Sequence, residues 1–110
     1  MLPAYTLVVD ISTNDTEIDE AKFRETVAPS LTHLVALKGA FDRIPCTPTF
    51  YPPDAEQGRP GWSVRTVVMI SLGKQRAEYL QVLFDSIGML VSRELPYYEV
   101  GWEISQFDFS

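Results

Sequence analysis

Few side chains in this 110-residue chain are of a type that does chemistry, and they are scattered. Arg43 and Arg76 can each grip a carboxylate through two parallel N–H···O bonds, the planar recognition at which guanidinium excels. Each also suits the solvated end of a helix or strand. Cys46 is the single thiol. A nucleophilic cysteine needs a base, and the single histidine, His33, lies in another element, so a packed, inert thiol between Pro45 and Pro48 is the better reading. His33 alone cannot hold zinc, which requires several ligands, and the sequence has no Cys/His cluster. Asp15, Glu17, Asp19 and Glu20 fall where a helix opens, and there the helix dipole favours negative charge without any ligand. Asp54 and Glu56 lie in a proline-rich loop and should face solvent. Met69 and Met89 read as core filler. No phosphate loop, dinucleotide glycine motif or Gly-x-Ser-x-Gly elbow is present, so neither cofactor nor metal is expected.

The elements that must position these residues follow from hydrophobic period and turn chemistry. Tyr5–Ile11 reads as a strand. Asn14, Asp15 and Thr16 can cap a helix whose apolar stripe runs through Ile18, Phe23, Val27, Leu31, Leu34 and Val35. Pro29 predicts a kink or restart near Ala28, and Gly39 a left-handed helix end. Residues 44–51 are extended, but Pro45 and Pro48 cannot donate to a ladder, which makes the segment an irregular or edge strand. Residues 52–61 form a loop. Residues 64–72 are almost continuously apolar, as in a strand covered on both faces. Residues 74–93 repeat apolar side chains at helical spacing through Leu80, Leu83, Phe84, Ile87, Leu90 and Val91, and Pro96 stops them. A last strand spans 100–109.

The result is a single α/β (α+β) domain over 1–110, with halves at about 1–51 and 62–110. Val8, Val9, Ile11 and Ser12 are echoed by Val67, Val68, Ile70 and Ser71. Two arrangements give this string of elements. One is a duplicated β-α-β unit, with parallel neighbouring strands in a mixed four-stranded sheet and two helices on one face; the other is the ferredoxin-like βαββαβ order.

Composition narrows the function classes. At 45% hydrophobic and 22% charged residues the chain is of ordinary globular make-up. A net charge of −6 and dispersed basic residues argue against a nucleic-acid partner; a basic protein surface fits that charge better. One cysteine, no basic apolar leader and no long apolar run lead to the expectation of a cytoplasmic protein without a membrane partner.

Several patterns, in order, resemble the tautomerase superfamily, most of all its 5-carboxymethyl-2-hydroxymuconate isomerase branch. They are Pro3-Ala-Tyr-Thr-Leu-Val-Val, Glu17-Ile-Asp-Glu-Ala-Lys-Phe23, Val27-Ala-Pro-Ser-Leu31, Gly39-Ala-Phe41, Gly73-Lys-Gln-Arg76 and Trp102-Glu-Ile-Ser-Gln-Phe107. The resemblance implies fused β-α-β pairs, a homotrimer and keto–enol isomerisation of a small keto acid. By position it makes Pro3 the base, Arg43 and Arg76 the carboxylate clamps, and Trp102 an apolar wall. Met1 and Leu2 stand ahead of Pro3, however. Unless they are removed, its nitrogen is an amide, whose delocalised lone pair is no base at neutral pH. Whether the chain is an enzyme therefore stays open at this level. Its alternatives are a non-catalytic relative and an acidic partner-binding or inhibitor protein of the same size.

Overall fold

A computed structural model describes residues 4–41, 47–71 and 73–107. The element order is β1 (Ala4–Ser12), α1 (Glu20–Phe41), β2 (Pro48–Tyr51), a short 3₁₀ turn (Ala55–Gln57), β3 (Ser63–Ser71), α2 (Lys74–Glu94) and β4 (Glu99–Phe107). The chain is an α+β domain with a four-stranded sheet and two helices. No helix among the described residues is long and apolar enough to cross a membrane.

The sheet order is β2-β3-β1-β4, and every neighbouring pair is antiparallel. This is the ferredoxin-like arrangement of the two that the sequence allows. The parallel β1–β2 neighbours of a mixed sheet, which the duplication and the tautomerase resemblance implied, are absent, because β3 lies between them. Ladder length gives a physical reason. All nine residues of β1 pair with all nine of β3 on one side and with all nine of β4 on the other. The four-residue β2 offers far less, and Pro48 brings no N–H, so β2 takes the edge, paired with β3 alone. The echo between the first and third strands survives as adjacency, with Val8 directly opposite Val67.

Burial alternates along β3. Val64, Thr66, Val68 and Ile70 face the helices, while Arg65, Val67, Met69 and Ser71 face away. Leu7, Val9 and Ile11 of β1 join the covered face. Against them pack Phe23, Val27 and Leu34 of α1 and Leu80, Phe84 and Val91 of α2. Each such apolar side chain contributes about 1.5–3 kcal/mol through removal from water. The coverage of both faces expected for β3 is thus a correction: one face is bare, and Met69 is 47% exposed. Met89 is no core filler either, at 51% exposed on the outer side of α2.

Helix α1 begins later than the capping residues suggested. Thr13 Oγ1 accepts from Asp15 N and Asp15 Oδ1 from Glu17 N, which makes a turn. Asp19 then caps the helix, its Oδ1 accepting from Lys22 N at 2.8 Å. The helix runs unbroken through Pro29 and past Gly39 to Phe41, so neither the restart nor the early stop occurs. Two helix contacts cross to α2: Ser30 Oγ donates to Glu94 Oε1 at 3.4 Å, and His33 Nε2 meets the same oxygen at 2.7 Å. Glu94 sits between serine and histidine, so this is a clasp between helices and not a nucleophile–base pair.

The candidate ligand cleft

Of the residues singled out from sequence, those the structure describes stand apart. Pro3, Arg43 and Cys46 lie outside the described residues. Arg76 is exposed near the start of α2 and already engaged in interactions there. Trp102 points inward from β4 onto α2, where its indole lies against Gly88 and its Nε1 donates to Asp85 Oδ1 at 3.2 Å. Twelve helical residues separate Arg76 from Gly88, a rise of about 18 Å. Trp102 is a docking residue between helix and sheet, about three turns along α2 from Arg76. The depression beside the start of α2 is lined by Tyr5, Glu78, Gln81 and Gln106, together with Ala77 and Ile104. Among the described residues its one charged side chain is a carboxylate, which would repel an acid.

A different recess has the better chemistry. It opens between α1 and the β2–β3 edge and encloses about 340 Å³, within the range of small-molecule sites. Ala28, Leu31 and Leu34 of α1 form one wall, and Pro48 and Phe50 of β2 the other. The helical spacing of 28, 31 and 34 puts these side chains on one flank of α1, beside the core stripe. The strand alternation of β2 turns Pro48 and Phe50 toward the same space. Phe50 is held by an edge-on contact with Phe23, ring centroids 6.1 Å apart. Phe23 in turn stacks on Tyr98 at 5.9 Å.

Three polar side chains interrupt these apolar walls: Thr32, whose hydroxyl donates to Pro29 O, Thr66 and Arg24. Thr66, opposite Pro48 in the β2–β3 ladder, is only 3% exposed, and its Oγ1 has no hydrogen-bond partner among the described residues. A shielded hydroxyl without a partner costs about 1–3 kcal/mol. Arg24 lies with its guanidinium carbon 3.9 Å from the centre of the Phe50 ring, a cation–π contact. Its Nε and Nη2 both reach Glu20 Oε1, at 3.0 Å each. That leaves Nη1 for a further acceptor. Phe50 pairs with Val64, one same-face step along the ladder from the Pro48–Thr66 pair, so cation and hydroxyl are separated by roughly that step of about 7 Å plus the reach of Arg24. Sequence reasoning missed both. Arg24 reads as a surface helix residue paired at i−4, and Thr66 as one β-branched residue among many in a strand.

On the opposite side of the sheet Arg65 reaches across to β1. Its Nε donates to Asp10 Oδ1 at 2.7 Å and its Nη2 to Asp10 Oδ2 at 3.3 Å. The hydrogen bond to Asp10 and that carboxylate's charge push the Arg65 pKa above its ordinary value. Among the described residues no group of three or more His, Cys, Asp or Glu side chains could hold a metal ion.

No protein-family model matches the chain, and no curated protein sequence matches it. Among solved structures, a de novo designed protein, Foldit4, is similar with a TM-score of 0.55 and 11% identity, covering 96% of this chain and 99% of that one. At that identity the likeness shows the fold alone.

Proposed function

We propose that this chain is a binding protein for a small apolar carboxylate, seated in the cleft between α1 and the β2–β3 edge. The observation that carries the reading is the Arg24 guanidinium, held over the Phe50 ring with Nη1 unengaged at a largely apolar recess. Arg24 Nη1 would meet the acid group, while Phe50, Leu31 and Leu34 hold the apolar body. Binding of this kind uses few polar contacts to orient and mostly apolar area to hold. The keto-acid class expected from the sequence fits the same description, at a place other than the one expected.

The test is titration of 4-phenylbutyrate, with 4-phenylbutanol as the uncharged control, followed by amide chemical shifts. The acid should move the resonances of Leu31, Phe50 and Thr66 and bind more tightly than the alcohol. Arg24→Gln should remove that preference by weakening the acid about tenfold, the loss of one charge-assisted hydrogen bond of about 1.4 kcal/mol, while Thr66→Val, whose shielded hydroxyl no ligand atom touches, should leave both ligands unchanged. Shifts that cluster elsewhere, or an Arg24→Gln protein that still prefers the acid, would discard the reading. Phenylpyruvate in the same cleft extends the assay to chemistry: enol loss faster than in buffer would add proton transfer to binding.

A further inference from the structure

We infer that the bare face of the sheet is where two copies of this chain meet, packed face to face about a two-fold axis running along β1. The first observation is a conflict between sequence and surroundings. Strand β3 is apolar on both of its faces at Val67, Val68 and Met69, the pattern of a strand covered twice. Val67 and Met69 nevertheless stand 40% and 47% exposed. They lie opposite Val8 and Thr6 of β1, so the exposed apolar groups are contiguous across two strands. Thr6 Oγ1, on this same face, is shielded by its neighbours and has no partner among the described residues.

The second observation selects the occupant. Arg65 on β3, Asp10 on β1 and Gly101 on β4 form one cross-strand row, with Glu103 next along on β4. A two-fold axis along β1 exchanges the β3 and β4 sides. Arg65 of one copy then stands over Gly101 of the other, beside Glu103. Gly101 leaves that position open, since a β carbon there would meet nothing within 4 Å. Asp10 occupies Nε and Nη2 of Arg65, so Nη1 remains to take Glu103 of the second copy. The two Asp10 carboxylates approach each other at the axis, each already paired with its own Arg65, so every Arg65 ends between Asp10 of one copy and Glu103 of the other, the repeated pairing that an isologous contact requires.

The footprint sets the strength. Three nine-residue strands, β3, β1 and β4, overlap across the axis; about 30 Å long and about 4.8 Å apart, they give roughly 430 Å² before side-chain relief. A stable standard interface takes about 800 Å² from each partner. At about half that footprint the dimer is weak and concentration-dependent.

Sedimentation velocity of the full chain, from low micromolar to submillimolar concentration, tests this. The parent should move from monomer to dimer across that range. Met69→Lys and Gly101→Trp should each weaken the association at least tenfold, while Val82→Lys, on the exposed outer side of α2, should leave it unchanged. Unaltered circular dichroism for each variant keeps misfolding out of the comparison. A parent that stays monomeric throughout overturns the inference. So does a dimer that survives Met69→Lys and Gly101→Trp, or one that Val82→Lys breaks equally. Larger assemblies with the same insensitivity to Met69→Lys would place association on another surface and overturn it as well.

Discussion

Replacing Gly88 with alanine sets two opposed effects against each other inside α2. Alanine is the better helix former, by about 1 kcal/mol, so a helix judged alone should gain. The structure says otherwise. A β carbon at position 88 would stand within 2.5 Å of Trp102 Cε2 and Cγ and nearer still to Cδ2, where carbon atoms settle at about 3.5–4.0 Å. The indole would have to retreat by about 1 Å, and its Nε1–H is tied to Asp85 at 3.2 Å. Overpacking of this kind costs about 1–3 kcal/mol, and a broken indole hydrogen bond adds about 0.5–1.5 kcal/mol. After the helix gain, Gly88→Ala should destabilise by about 1–3 kcal/mol. Urea unfolding followed by far-ultraviolet circular dichroism measures this without relying on tryptophan fluorescence. The decisive comparison is the cycle with Trp102→Ala. Once the indole is gone, the same Gly88→Ala change should stabilise by about 1 kcal/mol, so its sign reverses. A stabilising effect in the parent, or equal effects in both backgrounds, would refute the assignment of Trp102 as the residue that seats α2 on β4.

Three further outcomes follow from the same packing and charges. Phe23→Ala removes a fully buried ring that touches both Phe50 and Tyr98; it should cost about 3–5 kcal/mol in chemical denaturation. Thr66→Val keeps shape and deletes an unpartnered hydroxyl, so without ligand the variant should unfold at a higher urea midpoint, by about 1 kcal/mol. Asp10→Ala breaks an exposed ion pair and should cost at most about 1 kcal/mol, less at high salt. Since Asp10 raises the Arg65 pKa, that contribution is present throughout the neutral range and goes only as pH climbs through the folded-state value in strong alkali. A thermal-stability profile flat near neutrality, with a loss for Asp10→Ala that salt reduces, checks it.

Strand and helix periodicity made most of the secondary structure legible. The 74–93 pattern anticipated α2 to within a residue, and the prolines of 44–51 correctly demoted β2 to an edge. Topology was harder, because a β-α-β-β-α-β string is compatible with two sheet orders and local patterns do not rank strands by ladder length. The caps of α1 were misplaced because Asn14, Asp15 and Thr16 are all good capping side chains, whereas Asp15 serves the Thr13–Asp15 turn, Asn14 donates to Glu99 and the cap falls to Asp19. The site was the least legible. Aromatic and arginine types drew attention to Trp102 and Arg76, but a glycine three turns further along α2 decides what the indole does. Thr66 acquires meaning only when its hydroxyl is seen to lack a partner. No spacing rule records that.

The middle position of β1 has a bearing on how the chain reaches its native state. Strand β1 is flanked on both sides by strands made much later, residues 63–71 and 99–107. Until β4 has emerged, β1 has one edge open and its nine backbone positions half satisfied. Contacts so distant along the chain slow folding, since a large loop must close before any of them forms. A chain arrested before residue 99 would expose that edge to other chains, so in translation the last strand acts as the latch against aggregation.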